Sequence, residues 1–318
     1  MEKNLLLDDS YRACALLVKR AASSFYWSLW CLPEAKRRGL QALYAFCRQT
    51  DDLGDSPLPI AARQAALEAW RAELVNRLSA VAPDSLAPES REQQSDACRL
   101  LPALIDTVNR HRIPTSYLFD VIDGVESDLT PRVIESFSEL REYCRLVASS
   151  VGLACLHIWG FRGGQEVIEM ATECGVAFQL TNIIRDISED AARGRIYLPQ
   201  EDLDRFGYSA DELRRGVLNE AGRELLRFQM ARAACSFELG RATRSYLEPD
   251  AVDSFDVMYN TYQRLLRAIE RRQGDLFRRR VRLSWWDKVA ITTEWSWQRW
   301  RRSGPRLLLP RRSGLQTP

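Results

Sequence analysis

The chain has 318 residues, 46% hydrophobic and 28% charged, a composition that excludes a disordered or fibrous protein and allows one large helical domain or two modest ones. Its 45 Lys and Arg residues against 43 Asp and Glu leave a formal net charge of +2, so bulk charge argues for no nucleic-acid partner. No stretch reaches the roughly 18 consecutive apolar residues of a membrane-spanning helix, and the opening MEKNLLLDDSYRACALLVKR is charged too early for a secretory signal.

The resulting expectation is a cytoplasmic protein that can touch the inner face of a membrane. The eight cysteines are scattered, mostly in apolar helical runs, without a CxxC pair, and read as reduced core thiols.

In chain order, Leu40, Leu43, Tyr44 and Cys47 repeat at helical spacing and lead into DDLGD, with Arg48 one turn before Asp51, Asp52 and Asp55. Asp51 and Asp55 share a helix face, so their carboxylates can converge on one hard cation, and magnesium takes oxygen ligands of this kind together with phosphate. A solvated acidic turn is the alternative, although Gly54 and Pro57 place these residues near a helix end, where acidic groups oppose the macrodipole.

The stretch from Leu78 to Asp96, rich in Ser, Pro and charge, reads as a long surface loop. The acidic run Asp123, Glu126 and Asp128 reads as a solvated helix end, with a third anionic contribution to a site as the alternative. His111 and His157 are isolated and read as packing or surface residues.

A break follows Gly160 at FRGG, and a helix then carries Gln179, Asn182, Asp186 and Asp190 on one stripe among apolar Phe178, Leu180, Ile183 and Ile184. A buried polar network would need every member satisfied; a second metal and diphosphate platform accounts for the same stripe with less strain. Arg48 and Arg185 can donate to diphosphate oxygens or serve as ion-pair partners. Pro199 and Gly207 bound the next connection, with a short helix expected from Gln200 to Asp204.

Five of the nine Trp lie from Trp285 onward among a cluster of Arg. This tail, residues 289–318 beyond a catalytic domain of 1–288, suits peripheral membrane contact; packing on the domain or nucleic-acid binding are the alternatives.

Taken together, SSFYWSLWCLP, LYAFCRQTDDLGD, VIDGVESDL, YCRLVASSVG and FQLTNIIRDISEDAARGRIYLP resemble the squalene and phytoene synthase family, in order and spacing, from about Ser23 to about Leu203. Within it the chain looks most like bacterial presqualene diphosphate synthases of hopanoid pathways. The resemblance implies an all-α isoprenoid synthase fold, a single helical bundle around a central cavity, with three magnesium ions held through diphosphate.

Carried over by motif, Asp51, Asp52 and Asp55 would form the first metal site and Asn182, Asp186 and Asp190 the second, with the four aspartates Asp51, Asp55, Asp186 and Asp190 joined by Tyr143 in catalysis. Ser24, Phe25, Tyr44, Arg48, Gln179, Arg185 and Tyr197 match diphosphate or pocket positions, while Ala22 stands where the family often has Ser. Tyr143, Val147, Ala148 and Gly152 match the helix that lines the reaction chamber; on residue type alone, Ala and Gly there would read as helix packing.

The implied reaction joins two farnesyl diphosphates head to head into presqualene diphosphate. Two geranylgeranyl diphosphates giving phytoene is the alternative, and a noncatalytic assembly subunit is the third. NADPH is not expected, since no dinucleotide-binding signature is present, and downstream isoprenoid-pathway enzymes are further candidate partners.

Overall fold

A computed structural model describes residues 2–21, 26–79, 98–272, 276–277 and 281. Thirteen α-helices are present among them: α1 (Glu2–Ala21), α2 (Tyr26–Leu29), α3 (Glu34–Gly54), α4 (Ile60–Ser79), α5 (Leu101–His111), α6 (Ser116–Ser127), α7 (Phe137–Cys144), α8 (Ser150–Trp159), α9 (Gln165–Ala192), α10 (Gln200–Phe206), α11 (Ala210–Arg214), α12 (Glu220–Gly240) and α13 (Val252–Arg271). Between α7 and α8 the backbone makes a π turn over Arg145–Ser149, and a 3-10 turn at Arg241–Tyr246 follows α12. Among the described residues the only extended pairing is an isolated bridge between Phe161 and Leu247, so the all-α expectation holds.

Local chemistry sets many of these boundaries. The Ser136 hydroxyl accepts from the Glu139 N–H at the start of α7, and Ser209 with Glu212 forms a reciprocal capping box on α11. Pro199 precedes α10 and Gly207, at φ 63°, closes it in the left-handed conformation glycine tolerates. The Pro199 and Gly207 boundaries therefore fall where expected, with α10 extending to Phe206. Leu78 and Ser79, expected at the start of a surface loop, belong instead to α4, and the rest of that stretch, residues 80–96, lies outside the described residues.

Helix α9 is the spine of the bundle. At 28 residues it spans about 42 Å, and it buries Val167, Val176, Leu180, Ile183, Ile184 and Ile187 against neighbours on several sides. Glycine permits two of its closest approaches. A Cβ at Gly175 would sit 2.4 Å from the Ser149 Cα in the π turn, and one at Gly240 of α12 would sit 2.5 Å from the Cys174 Sγ.

The π turn is held from its other side as well, since a Cβ at Gly124 of α6 would meet the Val147 Cγ1 at 2.5 Å. A π turn inserts one extra residue into a helix and shifts which side chains face inward. Here it carries Val147 and Ala148, both only partly buried.

The cysteines are all free thiols, with Cys14, Cys144, Cys155 and Cys174 buried. His111 and His157 are half-buried, and burial lowers the pKa of both; the His157 ring meets Phe161 edge-on at 5.5 Å. Both behave as packing residues. No helix among the described residues is long and apolar enough to cross a membrane.

Candidate active site

The first aspartate group occupies the C-terminal end of α3. Leu40, Leu43 and Phe46 fix this helix in the core, which turns Arg48, Asp51, Asp52 and Asp55 outward from it. Acidic groups are unfavourable at this end of a helix. Arg63 of α4 offsets part of that cost by donating to the Gly54 carbonyl at 2.8 Å. Arg48 pairs with Asp52, Nε to Oδ2 at 3.2 Å, and Arg195 reaches Asp55 at 3.4 Å.

The second group lies on α9. Asn182 donates to the Gln179 Oε1 at 3.3 Å, whereas its own Oδ1 is buried with no hydrogen-bond partner. Arg185 folds onto its neighbour Asp186, Nε to Oδ1 at 2.8 Å. Of the two alternatives for Arg48 and Arg185, both make the ion pair, so either would have to exchange its carboxylate to bind diphosphate.

Asp128, at the end of α6, joins the two groups. Its Oδ2 accepts from the Tyr143 hydroxyl at 2.8 Å and its Oδ1 from the Tyr197 hydroxyl at 3.0 Å, and the two phenol rings stack at 5.0 Å. Asp128 also lies within electrostatic reach of both Asp51 and Asp190. The acidic run at the end of α6 therefore divides: Asp123 and Glu126 pair with Arg71, while Asp128 turns into the site.

Asp55 and Asp128 both line a cleft of about 440 Å3, together with Ile60, Arg63, Leu129, Pro131, Arg193 and Arg195.

The electrostatics report excess negative charge. Enclosure by protein raises the Asp51 carboxyl to about 7 against the pull of Arg48, and Asp55, Asp52 and Asp128 push the same way. Water still reaches Asp51, so crowding by like charges carries more of this shift than the enclosure alone would suggest. Enclosure, then Asp186, lifts Asp190 to about 6 against Arg195 and Arg193. Burial raises Asp128 despite its two phenol donors, and it raises Tyr143 and Tyr197, so both phenols stay neutral.

A cation would relieve each of these shifts, and the unpartnered Asn182 Oδ1 is a further oxygen donor in the same stripe. Among the described residues, however, no three carboxylate, thiol or imidazole groups approach closely enough to hold a metal by themselves. That suits magnesium, which keeps several water and phosphate oxygens and needs only one or two carboxylates per ion. The donor set fits the ion provided that substrate completes its shell.

Of the other expected residues, Tyr44 is partly buried on α3, and Val147, Ala148 and Gly152 run through the π turn into α8. Ser24, Phe25 and the tail 289–318 lie outside the described residues. Two site residues were not expected: Asp128, weighed chiefly as a solvated helix end, and Arg195, whose place in RGRIYLP gives its only sequence signal.

The sequence pattern of the Squalene/phytoene synthase family matches residues 18–287. The chain belongs to that family. A 15-cis-phytoene synthase of Synechococcus elongatus is 34% identical over 295 residues, covering 89% of this chain and 91% of the relative. A phytoene synthase of Mycobacterium tuberculosis is 32% identical over 288 residues, 90% of each chain.

Among solved structures, a dehydrosqualene synthase in complex with ligand superposes with a TM-score of 0.80 at 26% identity, covering 94% of this chain and 98% of the other. The squalene synthase HpnC from Alicyclobacillus acidocaldarius gives 0.73 at 27% identity, covering 84% and 95%. This squalene/phytoene synthase family member is accordingly a prenyltransferase with the isoprenoid synthase fold, and head-to-head condensation of prenyl diphosphates is its class of reaction.

Proposed function

We propose that the chain joins two farnesyl diphosphates head to head to give presqualene diphosphate, without NADPH. The observation that carries the chemistry is the convergence of the α3 and α9 aspartate groups on Asp128 beside two stacked, neutral phenols. Asp51 and Asp55 on one side and Asn182, Asp186 and Asp190 on the other would hold magnesium, with Asp52 beside the first group. Magnesium, when bound, neutralises diphosphate charge as the allylic C1–O bond breaks.

The protein's own groups then act on the organic partners. Arg48 and Arg185, freed from their carboxylates, donate to diphosphate oxygens, and Gln179 and Tyr44 position it. The bonding pair leaves with the diphosphate, and the C2–C3 double bond of the second substrate attacks C1 of the first. Loss of a C1 proton closes the cyclopropane.

Tyr143 and Tyr197 present π faces that favour the cation. Their hydroxyl protons are already committed to Asp128 and their ionisation is suppressed. That favours the released diphosphate, rather than a tyrosine, as the base.

Farnesyl as substrate is supported by the likeness to dehydrosqualene and squalene synthase structures, whose C30 products correspond to two farnesyl units. A second reading, geranylgeranyl diphosphate giving phytoene, is supported by the names of the curated relatives. Purified protein with magnesium and each substrate in turn, with and without NADPH, distinguishes them by product mass. Presqualene diphosphate from farnesyl diphosphate is expected. Phytoene would establish the second reading, and squalene formed only with NADPH would overturn the stop at the cyclopropyl stage.

A further inference from the structure

Two adjacent serines tie the π turn between α7 and α8 to two different helices. The backbone N–H of Ser150 closes the widened ring on the Arg145 carbonyl. The buried Ser150 hydroxyl lies 2.8 Å from Asp120 Oδ2 on α6 and 3.0 Å from that same carbonyl. Arg145 Nη1 donates to the same Asp120 Oδ2 at 2.7 Å, while its Nε and Nη2 hold Glu142. Both ends of the ring therefore meet one carboxylate. Ser149 instead donates to the Thr172 carbonyl of α9 at 2.8 Å.

These bonds discriminate between helical registers. In an α turn the residue beneath Arg145 would be Ser149, four on; in the π turn it is Ser150, five on. Only the second lets Arg145 and Ser150 share Asp120 while Ser149 keeps Thr172. Were the ring to close one residue earlier, the segments on its two sides would turn by about 100° against each other. Helix α8 is buried along most of its length, whereas α7 buries Leu140, Tyr143 and Cys144 alone. The rotation would thus fall on α7 and carry Tyr143 with it.

Asp120 shares one face of α6 with Gly124 and Asp128, at intervals of four. Gly124 makes the close approach to Val147, and Asp128 accepts the Tyr143 hydroxyl. The face that holds the phenol at one end is anchored at the other, about 12 Å away, by the clamp on the π turn.

We propose that Asp120 is a positioning residue for the condensation: it holds the π turn in register, which keeps Tyr143 on Asp128 and keeps the wall at Val147 closed against water while the allylic cation exists. Asp120 touches no reacting atom and acts through Tyr143. The proposal rests on the reading of the chain as a head-to-head prenyltransferase whose chamber this wall lines. A displaced wall admits water. Its oxygen bonds to C1 after the bonding pair has left with the diphosphate, its proton passes to solvent, and a prenyl alcohol forms in place of the cyclopropane.

The test compares Asp120→Leu, which keeps the side-chain size and removes both acceptors, with Asp120→Asn, which keeps an oxygen for Ser150 and Arg145. Each full-length protein is given magnesium and the prenyl diphosphate that the parent condenses, and the ratio of prenyl alcohol to condensed product is measured above the enzyme-free background. Unfolded protein makes neither product, so the ratio does not respond to lost stability alone. It should rise about tenfold in Asp120→Leu with KM within about twofold of the parent, and Asp120→Asn should return it to within about twofold. Ser150→Ala removes one hydroxyl from a buried position, should raise the ratio about threefold, and serves if Asp120→Leu does not fold. A parent-like ratio in Asp120→Leu, or in Ser150→Ala if only that variant folds, would overturn the proposal.

Hydrogen exchange without substrate supplies a readout independent of the reaction. Amides in 143–150 should exchange about tenfold faster in Asp120→Leu than in the parent, with those of 225–237 in α12 unchanged. Parent-like exchange at 143–150 would also overturn the clamp. Absence of condensed product from the parent, with either farnesyl or geranylgeranyl diphosphate, would instead overturn the proposed function and leave the clamp to be decided by exchange.

Discussion

The two aspartate groups hold the same kind of side chain in different physical settings. On α3 the acids stand at a helix end, reachable by water, where the helix dipole disfavours them and Arg48, Arg63 and Arg195 compensate from three sides. On α9 they ride the last turns of a long helix whose other faces are buried, with Asn182 left holding an unpartnered oxygen. The α3 group is therefore the more exposed half of the site and the α9 group the more enclosed half.

Asp186→Asn should disrupt the enclosed half and cause the largest effect. A loss of about 10²- to 10³-fold in kcat/KM is expected, with the apo fold intact by circular dichroism; a loss under tenfold would show that α9 does not anchor the metal. Asp51→Asn should approach the same loss, whereas Asp52→Asn, whose carboxylate is already committed to Arg48, should cost less than tenfold. Equal losses at Asp51 and Asp52 would contradict the face assignment on α3.

The close packing of α9 also has a stability signature. Gly175→Ala places a methyl against the π-turn backbone and should destabilise by about 1–3 kcal/mol in urea unfolding. Gly194→Ala, at φ 78° with open space around it, should cost about 1 kcal/mol through backbone strain alone.

Titration sharpens the comparison further. Asp51 and Asp190 hold their protons more tightly folded than unfolded, so their contribution to stability is full below about pH 4 and is lost as pH rises through about 6 for Asp190 and about 7 for Asp51. In metal-free buffer, Asp51→Asn should flatten the decline in thermal stability between pH 6 and 8. An unchanged slope there would show that Asp51 is not the group responsible.

Much of this arrangement was legible in the order of residues. Helical spacing placed Asp51 with Asp55 and Gln179 with Asn182, Asp186 and Asp190, and Pro199 and Gly207 marked the ends of α10. Asp128 was harder to place, because VESDL carries no periodic signal that separates a solvated helix end from an inward-turning carboxylate. Its role depends on Tyr143 and Tyr197, which are remote from one another in the chain and meet only in the fold. The π turn was equally hidden, since one extra residue in a helix leaves the apolar pattern of RLVASS almost unchanged; what marks it is the pair of glycines on α6 and α9, visible only once those helices are packed.

That pair of glycines also constrains how the enzyme can evolve. With Gly124 and Gly175 pressing on the π turn from opposite sides, the main chain of this wall has little freedom to move in or out. Side chains such as Val147 and Ala148 could then be exchanged one at a time without moving the main chain, whereas a methyl at either glycine would displace it.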